Sequence, residues 1–177
     1  MVELLQIATL ERVDTMKKLF VIRHAKSSWK DESLNDFDRP LNKRGKLDAP
    51  LMAKKLKKMG IKPDIILASP ALRTKTTAQI IASELKSSKL IRYDEELYEA
   101  DAQTLMNKIK DIGSNHETIF LVGHNPGLND FLNILVGFTE NLPTCAIAEI
   151  DIDCEDLKEL NETCSKLVSL KYPKMYK

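Results

Sequence analysis

Short apolar runs that alternate with amphipathic segments constrain the fold of this 177-residue chain more than any other feature. The runs at 19–22 and 118–122 are almost entirely apolar, as expected of buried strands. Shorter runs predict further strands at 64–68, 90–91, 146–152 and 166–170. Apolar residues at helical spacing predict helices at 42–59, 71–85, 101–111 and 128–136. This alternation predicts the α/β class, as a three-layer α/β/α sandwich around a mostly parallel sheet.

Polar residues and prolines indicate where the helices begin. Asn42 is a suitable N-cap for the first helix. Pro50 lies inside that stretch, so either the helix kinks there or a new helix begins with Asp48 as its cap. Ser69 is predicted to cap the second helix, since the following Pro70 suits a first turn.

The chain length fits one domain, which we expect to span residues 16–177. Met16 directly precedes the first predicted strand, so residues 1–15 are expected to be an N-terminal extension that activity does not need. A formal net charge of +1 gives no strong field for nucleic acid or a membrane, and we expect neither as a partner. The sequence shows no secretory signal and no apolar stretch long enough for a membrane helix.

Three cysteines, Cys145, Cys154 and Cys164, form no C-x-x-C pair. Their odd number argues against a disulfide framework and favours reduced thiols, so the expected location is cytoplasmic. No paired cysteines or closely spaced histidines supply a zinc site, and no P-loop or dinucleotide fingerprint is present. We therefore expect neither a metal nor a cofactor.

Three polar features follow the ends of three predicted strands. They are Arg23-His24, the segment from Ser69 to Arg73, and the turn Gly123-His124-Asn125-Pro126-Gly127. Because the carboxyl ends of parallel strands lie at one edge of a sheet, these features are expected to converge there. The result would be a site of two imidazoles and two guanidiniums.

Such a site suits phosphoryl chemistry. Arginine offers a rigid set of donors that matches phosphate oxygens, and Arg73 falls in the first turn of a predicted helix, where anions are favoured. A neutral imidazole is a competent nucleophile towards phosphorus. The pattern predicts transfer of a phosphoryl group to one histidine while the other groups stabilise its oxygens.

At these residues the chain resembles the histidine phosphatase, or phosphoglycerate mutase-like, superfamily, and within it the short SixA-like phosphohistidine phosphatases. The resemblance runs from about Lys17 to Lys174. The matching motifs are LFVIRHAKS at 19–27, DRPLNKRG at 38–45, ASPALRT at 68–74, ELY at 96–98, VGHNPG at 122–127 and YPK at 172–174. The resemblance implies a phosphoglycerate mutase-like fold. Ala25 stands where larger members have glycine, a minor departure.

The resemblance also implies roles for individual residues. His24 would be the nucleophile, and Arg23, Arg73 and His124 would bind the phosphoryl group. Arg39 would add a contact from its loop. An acidic proton donor is expected within 94–99, where alignment on the leucine favours Glu99 and leaves Glu96 as the second choice.

The implied activity is that of a metal-independent phosphatase with a phosphohistidine intermediate on His24. The chain lacks room for the long insertions that bind particular metabolites, which argues against a mutase and favours a phosphorylated protein side chain, phosphohistidine, as substrate. Two alternatives remain open. One is a phosphomonoesterase that acts on small metabolites, and the other is a non-catalytic phosphate-binding module.

Overall fold

The computed structural model describes residues 16–177, and its core is one six-stranded sheet. The strands are β1 (Lys17–Arg23), β2 (Ile65–Ala68), β3 (Ile91–Tyr93), β4 (Thr118–Gly123), β5 (Ile147–Ile152) and β6 (Ser165–Lys171). The helices are α1 (Lys43–Lys58), α2 (Leu72–Glu84), α3 (Ala102–Asp111) and α4 (Gly127–Val136). The predicted extension, residues 1–15, lies outside the described residues.

The strand order is β3-β2-β4-β1-β5-β6. The pairs β2/β3, β2/β4 and β1/β4 are parallel, whereas β1/β5 and β5/β6 are antiparallel. The sheet is therefore mostly parallel, as predicted, with an antiparallel edge. The parallel strands β2, β4 and β1 are neighbours, so their carboxyl ends lie side by side.

Helices cover both faces of the sheet, which confirms the three-layer prediction. Alternate residues of β1 point to opposite faces, because side chains alternate along a strand. Leu19 and Val21 belong to a buried cluster with α3 and α4, and Phe20 and Ile22 belong to a second cluster with α1 and α2. The sheet thus provides a rigid support with the loops at its carboxyl edge.

Two expectations about helix ends have different outcomes. Asn42 caps α1 as predicted, since its side chain accepts from the Gly45 amide at 2.9 Å, and α1 is one continuous helix with Pro50 inside it. Ser69 does not cap α2. The N-cap position is Ala71, which has no side-chain hydrogen bond, and the Ser69 hydroxyl instead contacts His124 at 2.7 Å. The Ser69 hydroxyl thus contacts a histidine 55 residues away in the sequence.

Among residues 16–177, no helix is both long and apolar enough to cross a membrane.

Candidate active site

The three predicted polar features meet at the carboxyl edge of the sheet. Arg23 and His24 lie at the end of β1, Arg73 lies in the first turn of α2, and His124 directly follows β4. All four line one cavity of about 500 Å³, and the rings of His24 and His124 lie 5.3 Å apart between centroids. The convergence expected from parallel strands is therefore found.

His24 presents one ring nitrogen that is free to react. Its Nδ1 lies 2.8 Å from the carbonyl oxygen of Ala25, which can only accept, so the proton of the neutral ring is on Nδ1. Nε2 then carries the lone pair. Burial, together with the nearby Arg73 and Arg23, lowers the pKa of His24 from its usual 6.5 to about 4. The imidazole is consequently neutral, and nucleophilic, near neutral pH.

His124 is buried beside two hydroxyl groups. Its Nε2 lies 2.7 Å from Ser69 Oγ and 3.1 Å from Thr74 Oγ1. Burial and the positive charge of Arg73 lower its pKa to about 3, so this ring is also neutral. Its Nδ1 is buried and has no hydrogen-bond partner in the described part of the chain.

Three arginines line the cavity, and each has one buried nitrogen without a partner among residues 16–177. These nitrogens are Arg23 Nε, Arg39 Nη1 and Arg73 Nε. A buried donor without a partner is unfavourable, and native structures seldom leave one unpaired without a functional reason. Together with His124 Nδ1 they make four buried nitrogens without partners in the walls of one cavity. The arginines provide the positive charge that a multiply charged anion requires.

Arg39 comes from the long loop that follows β1, and that loop holds it firmly. The residue is only 7% exposed, and its guanidinium carbon lies 3.4 Å from the centroid of the Trp29 ring. Arg39 lines the cavity, and its contact with a phosphoryl group stays a prediction. Trp29, also at the cavity, is 69% exposed and was not among the predicted site residues.

Asp36 is a site residue that sequence reasoning missed. Its carboxylate accepts from Arg39 Nε at 3.0 Å, from Arg73 Nη2 at 2.8 Å and from the Tyr98 hydroxyl at 2.8 Å. Its backbone oxygen also accepts from Arg73 Nη1. Although burial opposes ionisation, the bonds from Tyr98 and Arg73 lower the pKa of Asp36 to about 2. The only hint in the sequence was its position three residues before Arg39.

The two candidate acids lie in different places. Glu99 lines the cavity. Its own φ is +54°, a backbone conformation that is uncommon for residues other than glycine. Glu96 does not line it; its carboxylate is exposed and lies 3.1 Å from Lys108 Nζ on α3. The second choice, Glu96, is therefore set aside, because the turn at 95–97 directs it to another partner.

Side chains that could hold a metal ion do not cluster in the described part of the chain. Among residues 16–177, no group of three or more His, Cys, Asp or Glu side chains is arranged to hold one. Independence from metal stays a prediction. The cavity lining holds a neutral nucleophilic nitrogen and three guanidiniums, the groups that bind and transfer a tetrahedral anion. It also holds four acidic residues, Asp36, Glu99, Asp101 and Asp130.

A family comparison points the same way. The model of the histidine phosphatase superfamily (branch 1) matches residues 19–130, which include every site residue discussed above. An uncharacterised chloroplastic protein of Arabidopsis thaliana is 35% identical over 141 residues, which are 75% of this chain and 65% of that protein. The chain thus spans slightly less than two thirds of that relative. An uncharacterised protein of Mycobacterium tuberculosis is 29% identical over 86% of this chain and 100% of its own length.

A solved structure shares the fold. The crystal structure of an Agrobacterium tumefaciens protein assigned as phosphohistidine phosphatase SixA matches with a TM-score of 0.77 and 26% sequence identity. The match covers 89% of this chain and 98% of that one. The predicted phosphoglycerate mutase-like sandwich is confirmed by this similarity together with the sheet described above.

Proposed function

This chain belongs to branch 1 of the histidine phosphatase superfamily, and from that premise we propose that it is a phosphatase whose phosphohistidine intermediate forms on Nε2 of His24. The single observation that carries the proposal is a set of four buried nitrogens without partners among residues 16–177, on side chains that line the same cavity as His24. A phosphoryl group has the oxygens to satisfy them. We assign the activity to one domain, residues 16–177.

The reaction proceeds in two displacements. Oxygens of the bound phosphoryl group accept from Arg23, Arg39, Arg73 and His124. Nε2 of His24 attacks phosphorus and the bond from phosphorus to the leaving group breaks. An alkoxide leaves with a proton from Glu99, whereas the imidazole of a phosphohistidine, protonated on its other ring nitrogen, leaves as the neutral ring. Water then attacks phosphorus, the P–Nε2 bond breaks, and the water's proton passes to a phosphoryl oxygen; after an alkoxide has left, Glu99 regains its proton from solvent. Inorganic phosphate leaves and His24 regains its lone pair.

The substrate we propose is a protein phosphohistidine. The similarity to a protein assigned as phosphohistidine phosphatase SixA supports this choice. Leaving-group chemistry supports it as well, because an imidazole leaving group needs less protonation than an alkoxide. Small phosphomonoesters are the second candidate, supported by the cavity of about 500 Å³, which is large enough for a metabolite.

The proposal includes a reducing, cytoplasmic setting. It is supported by the three cysteines, which are all free thiols, and burial raises the pKa of Cys145 to about 12, so this thiol is unreactive.

A substrate panel with and without a metal chelator tests the proposal. A phosphohistidine peptide, a sugar phosphate and a nucleotide are compared for the release of inorganic phosphate. We expect the phosphohistidine peptide to be hydrolysed fastest and the chelator to have no effect. Faster hydrolysis of the sugar phosphate or the nucleotide would select the metabolite phosphatase, and binding of phosphate without any turnover would select the non-catalytic module.

Covalent labelling tests the nucleophile. His24→Ala is expected to abolish both turnover and the acid-labile, base-stable label that phosphorylated substrate leaves on the protein. His116→Ala is the matched control, because this histidine lies outside the cavity, and it should retain both. Turnover that persists in His24→Ala would show that another group is the nucleophile.

A further inference from the structure

The two ring nitrogens of His124 have opposite surroundings. Nε2 faces the hydroxyls of Ser69 and Thr74, at 2.7 and 3.1 Å, whereas Nδ1 is buried without a partner. A neutral imidazole carries its proton on one nitrogen only, and the bonds made by the other nitrogen decide which one. The surroundings of Nε2 therefore control what Nδ1 presents to the cavity.

The hydroxyls can act as donors to Nε2. Ser69 Oγ already lies 3.4 Å from the amide of Ala71, an N–H that can only donate, so the serine oxygen is an acceptor there and its own hydrogen is available. Nε2 of His124 lies 2.7 Å from that oxygen, within reach of the hydroxyl hydrogen. When Nε2 accepts, the proton of the ring must be on Nδ1, and Nδ1 becomes a donor.

This arrangement makes the two histidines complementary. In His24 the Nδ1 proton is directed at the Ala25 carbonyl, and the lone pair of Nε2 is left for attack. In the Nδ1–H tautomer of His124 the two nitrogens exchange these uses. Nε2 accepts from the hydroxyls, and the Nδ1 proton is left for a phosphoryl oxygen. The opposite tautomer of His124 would place a lone pair against those oxygens, and the two would repel.

We propose that Ser69 and Thr74 are positioning residues that hold His124 in the Nδ1–H tautomer, so that its free nitrogen donates to the phosphoryl group. The inference rests on the proposed function for its consequence in catalysis, but the tautomer itself is a property of the free protein. Both residues belong to the segment that supplies Arg73, so one stretch of chain places a guanidinium and sets the tautomer of a histidine 50 residues away.

Nitrogen-15 NMR of the imidazoles tests the tautomer without any substrate. In the full chain, the His124 ring is expected to show a protonated Nδ1 and an unprotonated Nε2 at neutral pH. In Ser69→Ala combined with Thr74→Val, the signals should move towards the Nε2–H form. A protonated Nε2 in the unmodified protein would overturn the proposal, whatever the enzyme's activity.

Kinetics and anion binding test the consequence. Losing a hydrogen bond to a charged group should lower kcat/KM about 10- to 100-fold in the double variant and weaken the binding of tungstate, a tetrahedral oxyanion. Thr74→Ser keeps the hydroxyl and should retain most of the rate. Thr76→Val is the control, since its exposed hydroxyl bonds only to Leu72 O, and it should leave rate and tautomer unchanged.

Three outcomes are therefore distinguishable. A shifted tautomer with weakened tungstate binding but no turnover on any phosphorylated substrate in the parent protein would refute the proposed function and support the positioning role. An unshifted tautomer with full turnover in the double variant would refute the positioning role alone. Single variants Ser69→Ala and Thr74→Val, with melting temperatures measured in parallel, give the same readouts if the double variant does not fold. In the double variant, the expected shift towards the Nε2–H form with an unchanged kcat/KM would show that Nδ1 does not contact the phosphoryl group.

Discussion

Asp36 shows how one carboxylate can organise a cationic site. Its oxygens bond Arg39 and Arg73, and the unpaired nitrogens of those arginines, Nη1 and Nε, are what the cavity offers to an anion. With a pKa of about 2, Asp36 stays ionised throughout the physiological range. The same negative charge, however, lies close to the place where the phosphoryl group would bind. Asp36 therefore orients the arginines and also repels the ligand.

These two effects of Asp36 can be separated by substitution. In Asp36→Asn we expect kcat to fall about tenfold or more because the guanidiniums lose their orientation, while tungstate affinity is maintained because one repelling charge is gone. Kinetics with a phosphohistidine peptide and a tungstate titration measure the two quantities. Asp38→Asn, a neighbouring acid outside the cavity, is the control. A parallel loss of kcat and tungstate affinity would show that Asp36 only maintains the local structure.

The choice between the two glutamates makes a second prediction at this scale. Glu99→Gln should slow hydrolysis of a sugar phosphate about 100-fold, since proton donation to an alkoxide is lost, and should slow phosphohistidine hydrolysis much less. Glu96→Gln should leave both rates near those of the parent protein. The two substrates are assayed side by side with each variant. Equal losses on both substrates in Glu99→Gln would contradict a leaving-group role.

At the scale of elements, the start of α4 is packed against the loop that carries Glu99. A Cβ atom at Gly127 would lie 1.9 Å from the backbone oxygen of Ala100, far closer than any real contact. Because that neighbour is backbone rather than a flexible side chain, it cannot move without displacing the loop. The absence of a side chain at the first residue of α4 thus keeps Glu99 at the cavity.

This packing predicts the effect of filling the space. Gly127→Ala should lower the free energy of unfolding by about 1–3 kcal/mol. It should also reduce hydrolysis of a sugar phosphate more than that of phosphohistidine, as Glu99 moves. Chemical denaturation and the two assays measure these effects. Ile134→Ala, at an exposed position of the same helix, should change stability by about 0.5 kcal/mol or less. An unaltered midpoint in Gly127→Ala would show that the loop adapts freely.

At the scale of the whole molecule, the two buried imidazoles link stability to pH. Near neutral pH both rings are neutral in the folded and the unfolded chain. Below the usual pKa of 6.5 the unfolded chain binds protons that the folded protein does not bind until about pH 4 for His24 and about pH 3 for His124. Since the unfolded state then holds more protons, acid favours unfolding. Asp36 adds to this loss only at lower pH, between 3.8 and about 2.

The free energy of unfolding should therefore fall steeply between pH 6 and pH 4, with the two histidines together contributing up to about 3 kcal/mol per pH unit. Denaturant titrations at several pH values measure the slope. His24→Asn and His124→Asn should each reduce it by about half. A slope that is the same in the parent protein and both variants would mean that the rings are protonated in the folded state.

The order of strands and helices and the meeting of Arg23, His24, Arg73 and His124 could be predicted from the chain alone. Apolar periodicity is a local property, and parallel strands bring their carboxyl ends to one edge whatever their sequence separation. The N-cap at Asn42 was predictable for the same reason, since its partner is three residues away. The continuity of α1 through Pro50 was not, because local sequence allowed either outcome.

Only the tertiary structure decided which partner each polar side chain takes. Ser69 contacts His124 and does not occupy the N-cap of its helix, Asp36 bonds Arg73, and Glu99 rather than Glu96 lines the cavity. These contacts depend on distances through space between residues that are far apart in the chain. The spacing of apolar residues along the sequence does not predict them. The amino-acid order therefore determined where the reactive groups assemble, and the packed fold determined which atoms of those groups are left free to react.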